Sequence, residues 1–296
     1  MVNANKKGEW CEFTVPKEWA GFTPEQLLRE IWKTSKKQTH QLRMQKDLVV
    51  NGQPANWVSP LHENDKLLIK LFTETDFGVI PTFRELDILY EDDHVIVINK
   101  PSGIDTHPNS PDQTNTLANA VAFYLLTKGV QCPVKHIHRL DRDTSGAILF
   151  AKHSFIGSIL DKMLEERLIK RTYLALVQGV VKKKKGTINA PIGRDRHHPT
   201  RRRVSSNGQS AVTHYEVIEV DPYKNRTLVQ CQLDTGRTHQ IRVHFSHIGH
   251  PLIGDTLYGG KPDFDHQALH ALRLEFTHPF TLERIICESD RHLDFL

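Results

Sequence analysis

A charged segment runs directly into an apolar one at residues 138–151, and this junction constrains the fold more than any other feature. The apolar half reads Ala-Ile-Leu-Phe-Ala, which is too short for a helix and predicts a buried strand. The charged half is rich in turn formers and predicts the loop at the mouth of that strand. Asp141 lies there between Arg139 and Arg142. Because nearby positive charge favours an ionised carboxyl, Asp141 is a candidate nucleophile or base for a negatively charged substrate.

This loop has two simpler interpretations. Residues 141–146 are similar to the opening of a calcium loop, but the twelfth position, which requires a bidentate Glu, is Lys152. A cation there excludes calcium. The second interpretation is an ordinary turn, which Asp, Thr, Ser and Gly readily form. The short string Asp-x-Asp-Thr-Ser-Gly alone would favour that turn, whereas the whole nine-residue run does not.

The run HRLDRDTSG at residues 138–146 resembles the signature of RluA-type RNA pseudouridine synthases, which convert uridine in structured RNA to its C-glycoside isomer. Three further segments resemble the same family in the right order: residues 88–108, residues 171–177 (RTYLALV) and residues 233–244 (LDTGRTHQIRVH). The resemblance covers roughly residues 85–280. Four ordered motifs are more specific than any one of them.

The resemblance implies a role for each of several side chains. Asp141 would be the catalytic carboxylate, and Arg237 would form the ion pair that holds it, a task suited to a planar guanidinium. Tyr173 would stack on the uracil while the detached base turns. Arg139 and His138 are candidates to fill the space left when the target uridine is extruded from its stack.

One carboxylate is sufficient for this chemistry, because it can either add to C1′ or remove the C2′ proton; both routes remain open. A glycoside hydrolase would need two carboxylates in distinct roles. Asp143 would point along with Asp141 rather than across a substrate. The family usually has Lys two residues before the tyrosine, and here Arg171 stands in that place, which preserves the charge.

The order of predicted elements indicates an α+β fold with a mixed, mainly antiparallel sheet. The resemblance implies that this is the pseudouridine synthase fold. Strands are predicted at 95–98, 147–151, 173–177, 211–220, 226–233 and 241–245, with helices at 116–126 and 154–170. Residues 1–72 resemble a small S4-like α/β RNA-binding domain, in which Thr23 would cap a helix beginning at Pro24. Residues 73–84 would be a linker, and residues 85–296 the catalytic domain.

The net charge is only +4, but basic residues are clustered. We expect RNA, ribosomal or transfer, as the partner, with phosphate contacts from the two basic runs. These runs are Lys182, Lys183, Lys184 and Lys185, and Arg201, Arg202 and Arg203.

Other classes lack sequence support. The cysteines are scattered, and the sequence has neither a signal-like segment nor an apolar run long enough to cross a membrane, so a cytoplasmic monomer is expected. No nucleotide-binding glycine motif occurs, and the reaction requires no cofactor. The histidines at positions 239, 244, 247 and 250 lack metalloprotease-like spacing, so no metal is expected. Two alternative functions remain: a non-catalytic RNA-binding or ribosome-assembly factor on the same fold, and a nucleoside glycosidase that releases uracil.

Overall fold

A computed structural model describes residue 2 and residues 4–289. The N-terminal unit is a five-stranded antiparallel sheet in the order β1-β2-β5-β3-β4. Its strands are β1 (Ala4–Lys7), β2 (Trp10–Thr14), β3 (Leu48–Val50), β4 (Gln53–Pro54) and β5 (Lys66–Lys70). Its helices are α1 (Pro24–Gln26), which continues as a π-helical turn over Leu27–Ile31, and α2 (Lys36–Gln45).

The start of α1 confirms the predicted capping. The Thr23 side chain accepts a hydrogen bond from the Gln26 backbone, and Pro24 is the first helical residue. Asn51 and Gly52 both have positive φ, at 49° and 79°, and form the tight turn between β3 and β4. Local sequence signals therefore set these two boundaries.

The second sheet confirms the α+β prediction. It has ten strands in the order β11-β14-β15-β10-β16-β9-β7-β6, with β17 beside β16 and β8 beside β9. They are β6 (Asp87–Glu91), β7 (Val95–Lys100), β8 (Lys135–His136), β9 (Ser145–Ala151), β10 (Lys170–Gln178), β11 (Lys185–Asn189), β14 (Val212–Asp221), β15 (Arg226–Leu233), β16 (Leu269–Thr277) and β17 (Arg284–Glu288). A separate hairpin joins β12 (Ile192–Arg194) and β13 (Arg202–Val204), and the helices are α3 (Leu117–Thr127), α4 (Ser154–Glu165) and α5 (Gln240–His247). Among the described strands, β9 and β16 pair in parallel, and the other pairs are antiparallel.

Strands β7 and β9 lie between two apolar cores and are buried on both faces. Val95 and Val97 belong to one apolar core, whereas Ile96 and Ile98 belong to the other. Alternate residues of a strand point to opposite faces, so a strand between two cores must be apolar at every position. This explains the unbroken apolar runs seen in the sequence.

The N-terminal unit shares a core with the ten-stranded sheet. Between ring centroids, Trp32 lies 5.6 Å from Phe13 in the N-terminal sheet. It lies 5.9 Å from Phe155 and 5.1 Å from Phe280, which belong to the part of the chain that forms the ten-stranded sheet. All four rings are buried. Aromatic contacts of this kind add about 0.5–1.5 kcal/mol each beyond area burial.

Two predicted elements differ from the structure. The strand predicted at 241–245 is the helix α5, and the helix predicted at 154–170 ends at Glu165. Because α5 is buried on almost every side, it shows no polar stripe by which a helix could be recognised. Arg167 has a φ of 62°, and this turn directs the chain from α4 into β10.

Candidate active site

The loop that carries Asp141 is anchored to the chain on both sides. The Thr106 hydroxyl accepts a hydrogen bond from the Leu140 backbone nitrogen (3.2 Å) and donates one to the Leu140 carbonyl (2.9 Å). Lys100 is fully buried, and its ammonium donates to three backbone carbonyls, those of Pro101, Ile104 and Arg142. Burial lowers the pKa of Lys100 to about 8. These bonds fix the backbone before and after Asp141.

Gly146 allows the loop to enter the sheet. It has a φ of +109°, and a Cβ at this position would lie 2.2 Å from the Ala271 carbonyl oxygen on β16. No side chain fits there without moving the neighbouring strand. The glycine therefore lets β9 begin beside β16, directly after the loop of Asp141.

A buried ion-pair chain holds Asp141. The Arg242 Nη1 donates to Asp141 Oδ2 (3.0 Å), while its Nε and Nη2 donate to the two carboxylate oxygens of Asp255 (2.7 and 2.9 Å). The exposed fractions of the side chains are 17% for Asp141, 8% for Arg242 and 1% for Asp255, so Asp141 alone of the three reaches solvent appreciably. Burial lowers the pKa of Arg242, but the hydrogen bonds of Asp255 and the charge of Asp141 outweigh it and raise that pKa.

The predicted ion pair between Arg237 and Asp141 is wrong. The Arg237 Nε instead donates to the Ser210 carbonyl (3.0 Å), and neither sequence neighbour of the loop, Arg139 or Arg142, replaces it; Arg242 does. The physical reason is that residues 240–247 form a helix rather than the predicted strand, and from this helix the Arg242 side chain reaches Asp141. Arg242 was inside the quoted motif and would have been found had α5 been recognised as a helix.

A cavity of about 710 Å³ opens over Asp141. All the residues named for the reaction line it: Asp141, Tyr173, Arg237, Arg139 and His138. The lining also includes Arg167, Arg171, His239 and Arg242. Tyr173 lies on β10 and is 5% exposed, and burial raises the pKa of its phenol. The fold therefore gathers residues from distant motifs around one space that is large enough for a nucleotide.

His138 and Arg139 have different surroundings, although they are adjacent in the sequence. His138 is buried, its Nε2 accepts from the Leu149 backbone nitrogen (3.3 Å), and burial lowers its pKa to about 3. Its ring is thus a neutral support between the loop and β9, and it is not free to enter an RNA stack as predicted. Arg139 is exposed at the cavity wall and is free to do so.

Known proteins are similar to this chain in sequence. The profile of a family described as RNA pseudouridylate synthase matches residues 94–247, and that of the RluD ribosomal pseudouridine synthase N-terminal domain matches residues 11–67. The uncharacterized RNA pseudouridine synthase YhcT of Bacillus subtilis (strain 168) is 46% identical, over 96% of this chain and 95% of that protein. The chain belongs to the RNA pseudouridine synthase family.

Further relatives of this pseudouridine synthase agree. The ribosomal large subunit pseudouridine synthase D of Nitrosomonas europaea is 39% identical, over 94% of this chain and 83% of that protein. The structure of human RNA pseudouridylate synthase domain containing 1 is 26% identical, with a TM-score of 0.55 over 70% of this chain and 84% of that one. The chain is an isomerase that acts on uridine in RNA, as the sequence motifs predicted.

The basic clusters of this pseudouridine synthase lie on its surface. The four lysines at 182–185 are exposed and end in the first residue of β11; the cavity, as far as the described residues define it, includes none of them. In the hairpin, Arg201 pairs with Asp195, and the Arg202 backbone nitrogen donates to the Tyr258 hydroxyl (2.9 Å). Tyr258 in turn contacts His239 of the cavity lining, so the hairpin is linked to the site. No motif in the sequence pointed to Tyr258 or Asp255.

His239, His244 and His250 make hydrogen bonds with protein groups. His244 contacts the Thr213 hydroxyl (2.8 Å) and the Ala190 carbonyl (2.9 Å), and His250 contacts the Gln178 carbonyl (2.8 Å). Over residues 4–289, no three His, Cys, Asp or Glu side chains converge as metal ligands would. Within the same range, no helix has the length and apolar character needed to cross a membrane.

Proposed function

We propose that Asp141 starts the isomerisation by acting directly on the ribose of a uridine held in the cavity, without a cofactor. One observation carries this: Asp141 is ion-paired to the buried Arg242, yet its side chain still reaches the cavity. A fixed cation orients the carboxylate, which stays accessible to the substrate.

The reaction breaks the C1′–N1 bond, turns the uracil and joins C5 to C1′, after which C5 loses a proton and N1 gains one, so that the product is an isomer of uridine. Asp141 either adds to C1′ and is later displaced, or removes the C2′ proton to give a glycal and later returns it. Tyr173 forms the wall on which the free uracil stacks while it turns. Deuterium at C2′ separates the two routes, because it slows only the route that breaks the C2′–H bond in a rate-limiting step.

We propose structured RNA of the large ribosomal subunit as the substrate. Relatives named ribosomal large subunit pseudouridine synthase D support this choice. Four guanidinium groups in the cavity lining suit phosphate recognition, and they belong to Arg139, Arg167, Arg171 and Arg237. The exposed lysines at 182–185, the arginines at 201–203 and an S4-like N-terminal domain would extend this contact.

The enzyme is further proposed to work as a cytoplasmic monomer. All four cysteines are buried free thiols, which is the usual state in a reducing compartment.

The proposal is tested with Asp141→Asn. The variant is expected to bind the RNA and form no pseudouridine. Pseudouridine is detected as carbodiimide-induced reverse-transcription stops, and RNA from cells with and without the gene is compared. Asp143→Asn, two residues along the same loop, is the matched control and is expected to retain activity. Pseudouridine formed by Asp141→Asn would refute the role of Asp141, and free uracil released by the wild type would indicate a glycosidase.

A further inference from the structure

Tyr258 lies where three parts of the site meet. It ends the short 3₁₀ turn Thr256–Tyr258 and is 9% exposed. Its hydroxyl accepts the Arg202 backbone N–H of the hairpin (2.9 Å) and lies 2.7 Å from His239 Nδ1. The Arg242 guanidinium carbon lies 5.0 Å from the centroid of its ring, within the range of a cation–π contact.

These contacts favour one tautomer of His239. The phenol oxygen accepts from the Arg202 backbone, and His239 Nδ1 lies within reach of the single phenol hydrogen. An arrangement in which the phenol donates to Nδ1 uses both contacts. In the neutral imidazole the ring hydrogen must then be on Nε2. Burial lowers the pKa of His239, which favours this neutral form.

The nitrogen that carries the hydrogen faces the reacting carboxylate. His239 Nε2 lies 3.8 Å from Asp141 Oδ2, the same oxygen that accepts from Arg242 at 3.0 Å. A movement of less than 1 Å brings Nε2 to hydrogen-bond distance. Two donors thus converge on one oxygen of Asp141, and Tyr258 contacts both of them.

We propose that Tyr258 is a positioning residue for Asp141: its hydroxyl holds His239 with the hydrogen on Nε2, and its ring holds Arg242. The inference deepens the proposed function and rests on it. Since the same hydroxyl accepts from the backbone of the basic hairpin, the position of the hairpin and the donors around Asp141 are linked.

The first test is Tyr258→Phe, which removes the hydroxyl and keeps the ring over Arg242. We expect kcat for pseudouridine formation to fall about threefold to tenfold, the size of one hydrogen bond, with little change in KM. Tyr223→Phe makes the same chemical change at a fully exposed side chain and should leave both constants unchanged. A wild-type kcat for Tyr258→Phe overturns the proposal.

A second variant separates positioning from loss of structure. His239→Gln keeps an N–H near the place of Nε2, with a geometry that does not depend on Tyr258. We therefore expect this variant to retain most of the activity, and Tyr258→Phe to cost nothing further in that background. His239→Ala, which has no donor, should lose at least as much as Tyr258→Phe. Losses of Tyr258→Phe and His239→Gln that multiply would overturn the proposal.

The tautomer is measured without RNA. In ¹⁵N spectra of the full-length protein, the ring signals that disappear in His239→Gln identify His239. They should report hydrogen on Nε2 in the wild type and a shifted or mixed state in Tyr258→Phe. Hydrogen on Nδ1 in the wild type would overturn the inference whatever the activity. A wild type with this tautomer but no pseudouridine formation would refute only the proposed function.

Discussion

Arg242→Met should destabilise the protein, because the buried charges behind the site lose their partner. The substitution leaves Asp255, with a side chain 1% exposed, as an uncompensated carboxylate and takes the cation from Asp141. Unit charges about 4 Å apart attract by about 4 kcal/mol at an effective dielectric constant of about 20, and breaking a buried pair costs about 3–5 kcal/mol. We expect a loss of about 4 kcal/mol and a Tm lower by about 6 °C. Circular dichroism during heating measures this.

The double variant Arg242→Met/Asp255→Leu separates stability from activity. It removes the stranded charge together with its partner, so most of the lost stability should return. Activity should stay absent, because Asp141 still lacks its cation. Arg43→Met breaks an exposed pair with Glu25 and should cost no more than about 1 kcal/mol. The reasoning is refuted if Arg242→Met is as mild as Arg43→Met, or if the double variant regains pseudouridine formation.

Three further predictions concern the buried His94, Gly146 in β9 and Arg139 at the cavity wall. Burial lowers the pKa of His94 from 6.5 to about 3, so this residue binds more protons in the unfolded chain between these values and contributes a fall in stability below pH 6.5 of about 2 kcal/mol at pH 5. In denaturant titrations His94→Gln should reduce the fall by that amount and leave the share of other buried histidines such as His138, whereas the exposed His40→Gln should not reduce it; equal pH slopes would contradict this. Gly146→Ala should cost at least about 3 kcal/mol in urea unfolding, since its Cβ would meet the Ala271 carbonyl, and an unchanged midpoint would argue against that clash. Arg139→Ala should slow turnover on folded RNA more than on an unstructured oligomer, because only folded RNA requires extrusion; equal losses would exclude this role.

Much of the fold could be predicted from local sequence patterns. The apolar runs of β7 and β9 and the cap at Thr23 appear where the sequence predicts them. Each of these signals comes from residues near one another in the chain, so propensity, periodicity and capping suffice to read it. The ordered motifs also predicted the family and the gathering of Asp141 with Tyr173, which line one cavity.

The electrostatic partners around Asp141 were decided only by the tertiary structure. Arg242 reaches it from 101 residues away, and it does so because residues 240–247 form a helix that the sequence pattern had predicted as a strand. The burial of His138 against Leu149 and the contact of Tyr258 with His239 likewise depend on how distant segments pack. The sequence alone determined where the buried strands β7 and β9 lie and which residue types were present. Which guanidinium meets the carboxylate depends on the path of the chain between them, because charge pairing acts through space and not along the sequence.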